Sequence, residues 1–352
     1  MGYSAIIVGS GITGATIARE LTDRGKKVLV IDKRSYIGGN CADYMSPEGY
    51  GISFSGGHFA HSNSKRIWDY LSKFTEFSPY NLTAVAQFYD NIYSYPINLL
   101  TLHQLWGTAS QEEAQKKLEE VRVKIDHPQN FEEKILSMIG EELYYRFIYG
   151  YNVKMWAREP RELDASLISR IPVRMNYDNR YFTDYYQGQP KDGYTAMFEK
   201  MLNGIEVKLN TPFDHSMKAD KIIYCGGIDE FYDYRYGKLE YRSVKREFTT
   251  EALGICLKTN TDTETPYLRK FSYAYAYPHI VAKNHVTSVE YSIDADEEKD
   301  YPVKTKRNTD LYKKYSDIPN SDVIFAGRLG NYKYWDMDAA VGSALKLVEK
   351  LC

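Results

Sequence analysis

The chain has 352 residues, of which 43% are hydrophobic, and its formal net charge is −2. A chain of this length can bury a large core and is expected to form two or three lobes. The near balance of acidic and basic residues gives no indication of a nucleic-acid partner or of an anionic membrane surface.

The cysteines and the apolar runs predict where the protein works. Cys41, Cys225, Cys256 and Cys352 form neither a close pair nor a metal-binding spacing, so reduced thiols and a cytoplasmic location are expected. No signal peptide precedes the first predicted strand, and no apolar run is long enough to span a bilayer, so membrane insertion is not expected.

The chain opens on a βαβ pattern. A buried strand is predicted over 4–8, a helix over 13–24 and a second strand over 27–32. GSGITG lies between the first strand and the helix and matches G-x-G-x-x-G. In this pattern Gly9 permits a tight turn, Gly11 lets a pyrophosphate approach the backbone, and Gly14 lets the helix pack close to the sheet.

Asp32 ends the second predicted strand. A carboxylate at this position, 21 residues after Gly11, accepts a hydrogen bond from a ribose hydroxyl in dinucleotide-binding folds. Together with the glycine pattern, it predicts a dinucleotide site at the start of the chain.

Periodicity predicts helices in the middle third of the chain and strands after it. The alternation in FSYAYAYP predicts a strand with its tyrosines on one face, and the charged segment 294–300 is expected to be an exposed loop. The remaining predicted elements are helices over 65–74, 111–125, 130–140, 141–149 and 339–350, and strands over 206–209, 221–224, 252–259, 271–277, 285–291 and 322–326.

Both ends of the chain favour FAD over NAD as the dinucleotide. KRSYIGGNC places a glycine pair just past the second strand, which is typical of FAD-binding oxidoreductases. FAGRLGNYKYWDMDAAVGSAL places a strand, Gly327 and then a helix near Asp338, an arrangement that commonly closes a flavin site.

These patterns predict an α/β fold: an FAD-binding, Rossmann-like parallel sheet domain with an inserted helical domain and an inserted mixed or antiparallel sheet domain. The FAD-binding domain is predicted to be discontinuous, over 1–75, 190–235 and 322–352. The mainly helical domain, with a mobile active-site loop, is predicted over 98–188. The antiparallel sheet domain is predicted over 76–97 and 236–321.

Longer motifs, spread in order along most of the chain, make the sequence more specific. They are IGGNCADY, GGHFAHSN, YSYPIN, GYNVKMWAREPRELDASLISRIPVRMNYDNRYF, YQGQPKDGYTAMFEKML, IDEFYDYRYGKLEYRSV and GRLGNYKYWDMD. Together they resemble the UDP-galactopyranose mutase family.

The resemblance implies an isomerase that uses reduced FAD without net redox change. Such enzymes interconvert the pyranose and furanose forms of a nucleotide sugar, here first of all UDP-galactopyranose and UDP-galactofuranose. The flavin N5 attacks the anomeric carbon and displaces the diphosphate, and the sugar–flavin adduct opens as an iminium. It recloses on the other hydroxyl, and the diphosphate then returns to the anomeric carbon and releases the flavin. The resemblance also implies an external reductant for the flavin, a homodimer, and a product that serves surface-polysaccharide biosynthesis.

The resemblance further implies roles for individual residues. Arg170 and Arg269 are expected to face the diphosphate, where cations stabilise the charge of the leaving group. Tyr151 and Trp156 are expected at the uridine, Tyr181 and Tyr301 at the diphosphate, and Tyr334 and Asp336 near the sugar and the flavin. His58 is expected beside the flavin ring, and Arg328 is expected to face the flavin, where its positive charge favours the anionic reduced form. Further cofactor contacts are expected from Lys33, Gly39, Asn40 and Met337.

His58 and His61 stand three residues apart but have no third ligand nearby, so no metal site is predicted. The surrounding GGHFAHS departs from the family's usual GPHIFHT: Gly57 replaces a proline, and Ala60 replaces a phenylalanine. Loss of proline is expected to loosen the turn, and loss of the ring to open space.

This departure leaves the sugar open. UDP-N-acetylgalactosamine, UDP-arabinose and a dTDP-deoxysugar are alternative substrates for the same chemistry. Two other functions also remain open, namely a flavin oxidase resembling the amine oxidases and a non-catalytic nucleotide-sugar binder.

Overall fold

The structure is a computed structural model that describes residues 2–168, 173–281, 284–296 and 298–352. Its strands are β1 (Ala5–Val8), β2 (Val28–Ile31), β3 (Asp43–Met45), β4 (Gly51–Ser53), β5 (Ala60–Ser62), β6 (Phe77–Pro79), β7 (Ala84–Phe88), β8 (Asn91–Tyr95), β9 (Tyr186–Pro190), β10 (Glu206–Lys208), β11 (Lys221–Tyr224), β12 (Tyr241–Thr249), β13 (Leu257–Asn260), β14 (Arg269–Ser272), β15 (Thr287–Asp294), β16 (Tyr301–Pro302) and β17 (Val323–Phe325).

The α-helices lie between these strands and after them. They are α1 (Ile12–Asp23), α2 (Lys65–Leu71), α3 (Leu99–Trp106), α4 (Gln111–Val121), α5 (Phe131–Tyr144), α6 (Gly150–Trp156), α7 (Gly193–Leu202), α8 (Ile228–Phe231), α9 (Tyr273–Ala276), α10 (Lys306–Ser316), α11 (Gly327–Gly330) and α12 (Met337–Leu351). Short 3₁₀ turns cover Gly39–Cys41, Pro160–Glu162 and Ala165–Ile168, and a π-helix covers Tyr145–Tyr149.

A parallel sheet of five strands has the order β10-β2-β1-β11-β17. Every neighbouring pair in it is parallel, as βαβ connections require. Helices α1, α7 and α12 bury their apolar faces in one cluster on this sheet. The first and last helices of the chain therefore share one core, and the predicted α/β fold is confirmed.

A second sheet has seven strands in the order β16-β12-β15-β14-β13-β7-β8. Its pairs are antiparallel except for β13 with β7, so this sheet is mixed. Two small sheets, β3-β4 and β5-β9-β6, lie apart from it. The division of the chain into three domains stays a prediction.

Helices α3 to α6 form the middle of the chain and bury a second core, to which β7 and β8 also contribute. The predicted helix over 111–125 ends at Val121, because the backbone of Arg122 turns extended (φ −60°, ψ 137°). The two helices predicted on either side of residue 140 form one element with a kink at Gly140, whose φ of 75° suits glycine.

One prediction on the later part of the chain is wrong, and another holds only in part. FSYAYAYP does not continue as a strand, because β14 ends at Ser272 and Tyr273–Ala276 forms a helical turn. The four-residue spacing of Tyr273 and Tyr277 buries both rings on one side of that turn. The segment 294–300 is not exposed throughout, because Asp300 is buried and accepts hydrogen bonds from Ser55 Oγ (2.6 Å) and Ser243 Oγ (2.8 Å).

Within the described part of the chain, none of the helices combines the length and the apolar character needed to cross a membrane.

Candidate active site

A single cavity of about 850 Å³ runs from the N-terminus of α1 to the helical part of the chain. It brings together residues that are far apart in sequence, from the first strand to the last helix. Arg170 lies outside the described residues. The other predicted site residues all line this cavity: Gly9, Gly11, Gly14, Asp32, Lys33, Gly39, Asn40, His58, Tyr151, Trp156, Tyr181, Arg269, Tyr301, Arg328, Tyr334, Asp336 and Met337.

The glycine-rich loop forms a cradle at one end of the cavity. Gly11 is the N-cap of α1, and no side chain caps the first N–H groups of that helix. A Cβ atom built on Gly14 would stand 1.9 Å from the carbonyl oxygen of Gly9, so only glycine fits between helix and strand. Free N–H groups and the helix dipole favour an anion here, as a dinucleotide pyrophosphate would supply.

The glycine pair Gly38–Gly39 closes the other side of this cradle. Both residues have left-handed backbones, with φ of 94° and 57°. A Cβ atom on Gly39 would approach the Cα atom of Gly11 to 3.0 Å, and Gly11 and Gly38 form a parallel bridge. The close approach of the two loops explains why the second one is also glycine-rich.

Asp32 is buried at the edge of the cradle. Its Oδ2 atom accepts hydrogen bonds from the backbone N (2.8 Å) and the Oγ (2.7 Å) of Ser10, and its Oδ1 atom accepts one from Arg34 N (3.0 Å). The carboxylate thus holds the glycine-rich loop against the end of β2. Its predicted bond to a ribose stays a prediction.

Charged side chains surround the cradle. Lys33 lies 3.9 Å from Glu230, which also binds Lys299 at 2.8 Å. Arg34 donates to Asn40 Oδ1 (2.9 Å) and pairs with Glu298, at 3.0 Å between Nε and Oε1. Lys33 and Asn40 were predicted from the sequence, but Arg34, Glu230 and Lys299 were not. Arg34 and Glu230 lie within the quoted segments KRSYIGGNC and IDEFYDYRYGKLEYRSV, but the sequence does not show which of their charges face the cavity.

His58 lies midway along the cavity, partly exposed to it. Its Nδ1 atom is 3.3 Å from Ser53 Oγ, and its carbonyl oxygen accepts a hydrogen bond from Gln189 Nε2 (2.7 Å). Burial, together with the positive charge of Arg328, lowers the pKa of His58 to about 4. His58 is therefore neutral near pH 7.

Arg328 is fixed by backbone carbonyl groups. Its Nη1 atom donates to Asp300 O (2.8 Å) and its Nε atom to Trp335 O (3.0 Å). The guanidinium also lies over the rings of Tyr301 and Tyr334, at 5.6 and 5.4 Å from their centroids, and these rings stack on each other. The three side chains form one cationic and aromatic wall.

Arg269 is held by a buried acid that sequence reasoning missed. Its Nε atom is 2.5 Å from Glu290 Oε2, and Glu290 is completely buried. Burial disfavours the charge on Arg269, but Glu290 outweighs this effect and raises the pKa of the guanidinium. Glu290 stands opposite Arg269 in the β14–β15 register, a pairing that a single strand's sequence does not reveal.

Trp156 and Tyr151 lie on α6 at the helical end. Trp156 Nε1 donates to Asn152 Oδ1 (3.2 Å), and Asn152 Nδ2 in turn donates to Ile148 O (2.8 Å). The indole meets Tyr334 edge to face at 6.2 Å. Burial raises the pKa of Tyr151, which keeps its phenol protonated as a donor.

Asp336 and Met337 begin the last helix. Asp336 is the N-cap of α12, so the N-terminus of this helix also faces the cavity. His61 lies beside it: its Nε2 atom is 3.8 Å from Asp336 Oδ2, and its Nδ1 atom is 2.8 Å from Asp184 Oδ2. No cluster of three metal-binding side chains occurs among the described residues.

The structure of the altered segment GGHFAHS differs from the loosened turn that its sequence predicted. The turn is not simply loosened, because Gly57 N donates to Glu290 Oε1 (3.1 Å), a bond that proline could not make. Ala60 is buried in β5 outside the described cavity lining, whereas Phe59 lines the cavity. Relative to the family's usual GPHIFHT, the aromatic residue stands one position earlier in this chain, at Phe59 and not at residue 60.

Residues 146–334 match the sequence profile of UDP-galactopyranose mutase, and residues 7–74 match that of an NAD(P)-binding Rossmann-like domain. A dTDP-fucopyranose mutase of Escherichia coli is 36% identical over 365 residues, covering 98% of this chain and 97% of that protein. A probable UDP-galactopyranose mutase of Klebsiella pneumoniae is also 36% identical, covering 98% and 94%.

The chain belongs to the UDP-galactopyranose mutase family.

Structural similarity agrees on the fold. The crystal structure of a reduced UDP-galactopyranose mutase superposes with a TM-score of 0.79 at 16% identity, covering 99% of this chain and 95% of that one. A putative protoporphyrinogen oxidase from Exiguobacterium follows with a TM-score of 0.69. The resemblance inferred from the motifs is confirmed, and the chain is an isomerase of the mutase family.

Membership in the UDP-galactopyranose mutase family and the Rossmann-like domain imply a flavin cofactor. The uncapped N-terminus of α1 and the paired glycine loops fit the pyrophosphate of FAD. Arg328, His58 and the N-terminus of α12 line the same cavity, and their contact with the flavin ring stays a prediction.

Proposed function

We propose that the protein interconverts the pyranose and furanose forms of a nucleotide diphosphate sugar, and that it does so with reduced FAD. The observation that carries this proposal is the single cavity. It joins the dinucleotide cradle to a second region, which is lined by the cation of Arg269 and the rings of Tyr151 and Trp156. A flavin oxidase would have no need for a paired arginine and an indole opposite its cofactor.

Reduced FAD, when bound, supplies an electron-rich nitrogen that can act as a nucleophile toward the anomeric carbon. The chain's own residues bind and orient the substrate. Arg269, fixed by Glu290, is placed to stabilise the diphosphate as its charge grows. The subsite for the pyrimidine is formed by Tyr151, Trp156 and Asn152. Between this subsite and the diphosphate lie Tyr301 and Tyr334. Arg170 is proposed as a second diphosphate cation on its motif alone.

UDP-galactopyranose is the first candidate substrate, as the family profile and the Klebsiella pneumoniae relative indicate. A 6-deoxyhexose on dTDP is the second, because the Escherichia coli relative is named for dTDP-fucopyranose. We further propose a homodimer and an external reductant, on the family resemblance, and a cytoplasmic location, which the four unpaired cysteines support.

The test is to incubate the dithionite-reduced, flavin-loaded protein with a panel of nucleotide sugars and to separate the products by chromatography. Furanose product from at least one sugar is expected, and none from the oxidised protein. Affinity for UDP without any furanose product would instead indicate a binding protein. Bleaching of the flavin by a UDP-sugar alone, with peroxide formed in air, would indicate an oxidase.

A further inference from the structure

Four hydrocarbon side chains lie together in the cavity lining, and Tyr95 and Tyr181 pack against the same hydrophobic cluster. The four side chains are those of Phe59, Leu82, Leu257 and Phe271, and each is at least nine-tenths buried. They belong to one hydrophobic cluster, here called the apolar wall. None of these side chains carries a polar atom, so none can exchange a hydrogen bond with a ligand hydroxyl.

The apolar wall continues directly from Arg269, the proposed ligand of the diphosphate. Arg269 and Phe271 are two residues apart on β14, so they point to the same face of the sheet. On the neighbouring strand β13, Thr259 is opposite Arg269, and Leu257 is opposite Phe271. The face thus changes from cationic to apolar over a distance of about 7 Å, comparable with the length of one hexose unit.

The other half of the wall lies next to His58. Phe59 follows it in the chain and packs against Phe271, with ring centroids 5.5 Å apart. Leu82 is joined to the proposed phosphate tyrosine, because its carbonyl oxygen accepts a hydrogen bond from Tyr181 N (2.6 Å). A group that extends from the diphosphate at Arg269 towards His58 therefore passes along the apolar wall.

The chemistry of ring contraction limits which part of a hexose can face this wall. The reaction needs C1, the ring oxygen O5 and the hydroxyl at C4, which closes the furanose. Hydroxyls remain at C2, C3 and C6, and only removal of the one at C6 leaves an apolar group that projects from the ring. A buried hydroxyl against hydrocarbon loses its bonds to water, whereas a methyl group gains from burial.

We propose that the apolar wall selects a hexose with a methyl group at C6, a 6-deoxyhexose, over one with a hydroxymethyl group. This rests on the proposed function and specifies its substrate class. The wall thus reverses the order of the two candidate substrates that the names of the relatives suggest: a hexose with a C6 hydroxyl, such as that of UDP-galactopyranose, remains a substrate, but one of lower efficiency. The choice of nucleotide is a separate matter, because Trp156 belongs to a different hydrophobic cluster from the apolar wall.

The test compares two substrates that differ only at C6. UDP-galactopyranose and UDP-6-deoxygalactopyranose are each given to the reduced holoenzyme, and kcat/KM for furanose formation is measured. We expect the 6-deoxy sugar to be preferred by roughly tenfold or more, as one unsatisfied hydroxyl implies. Equal values, or a preference for galactose, would overturn the inference and leave the proposed function standing. Absence of furanose from every nucleotide sugar tried would overturn both.

Two variants make the wall polar without removing its bulk. Leu82→Asn and Phe59→Tyr each add a hydrogen-bonding group, and each is expected to reduce the preference for the 6-deoxy sugar at least threefold. Leu329→Asn, at a leucine that lines the cavity on α11, is the matched control and should leave the ratio of the two kcat/KM values unchanged. The ratio is independent of the fraction of folded enzyme. An unchanged ratio in both wall variants would overturn the assignment of the wall to C6.

Discussion

At the scale of single residues, Glu290 acts through the groups that it holds. It is fully buried, pairs with Arg269 and accepts a hydrogen bond from Gly57 N. The carboxylate thus positions both a proposed diphosphate ligand and the turn before His58. A buried acid of this kind is costly to remove, because its partner is left as an uncompensated buried charge.

We therefore expect Glu290→Ala to lower the free energy of unfolding by about 3 kcal/mol and kcat/KM by roughly a hundredfold. Urea denaturation and steady-state kinetics measure the two effects. The matched control is Glu247→Ala, whose carboxylate forms an exposed pair with Lys245 and should cost less than about 0.5 kcal/mol. Similar losses in the two variants would contradict the role given to Glu290.

His58 predicts a dependence of stability on pH. Its pKa in the folded protein is about 4, below the ordinary value of 6.5, so the unfolded chain binds the proton more readily. The stability of the flavin-free protein should thus be highest above pH 6.5 and fall as the pH drops towards 4, with a contribution of about 2 kcal/mol. Denaturation of wild type and His58→Gln at pH 4.5 and 7 measures it.

In that comparison, His58→Gln should show a smaller loss between the two pH values. His127→Gln, at an exposed histidine, should behave as the wild type does. If His58→Gln kept the full pH dependence, other groups would have to account for it.

Arg328 predicts a change in the flavin's redox properties. Its guanidinium is fixed by two backbone carbonyl groups, so its charge has a defined position in the cavity wall. Arg328→Ala should lower the midpoint potential of bound FAD by on the order of 30 mV, because the anionic reduced form loses a cation. Arg328→Lys keeps the charge and should shift the potential less. An unchanged potential in Arg328→Ala would refute this role.

At the scale of elements, the fit of α1 against β1 depends on Gly14. A Cβ atom there would stand 1.9 Å from a carbonyl oxygen, so the helix would have to move away from the pyrophosphate cradle. We expect Gly14→Ala to lose most of its flavin, read from the visible absorbance of the purified protein, and to be destabilised by about 3 kcal/mol. Gly2→Ala, with no atom within 4 Å, is the control and should retain full flavin content.

The elements that could be predicted from sequence are those whose pattern is local. The βαβ start, β11 and α12 were predictable because each has its own periodicity and end signals. Tyr273–Ala276 could not be predicted, because its alternating residues fit a strand equally well and tertiary packing of two tyrosines decides the outcome. Most of the predicted site residues belong to motifs, although Arg269 and Tyr301 do not. Glu290 and the Leu257–Phe271 pair of the apolar wall emerge only from strand register, and Phe59 joins this pair only through tertiary packing.

At the scale of the whole molecule, the site depends on both ends of the chain. Helix α1 and helix α12 pack on the same sheet, and both direct their N-termini at the cavity. A ligand that reaches from the cradle to the N-terminus of α12 must therefore couple α1 and α12 energetically, since it binds the folded arrangement and not the unfolded chain.

FAD binding is accordingly expected to slow amide hydrogen exchange in the first turns of α1 and α12 together. Exchange followed by mass spectrometry, with and without FAD, measures the change. Helix α4, which lies outside the cavity lining, is the internal reference and should show little change. Protection confined to α1 would contradict a flavin site built from both ends.

The order of strands in the parallel sheet has a consequence for biosynthesis. β17 and α12 are synthesised well after β11 and α1, the elements that they adjoin. The nascent chain must therefore keep an incomplete sheet until residues 323–325 have been made. Flavin uptake is thus expected only after α12 has been made, and a premature stop before residue 323 should yield a colourless product.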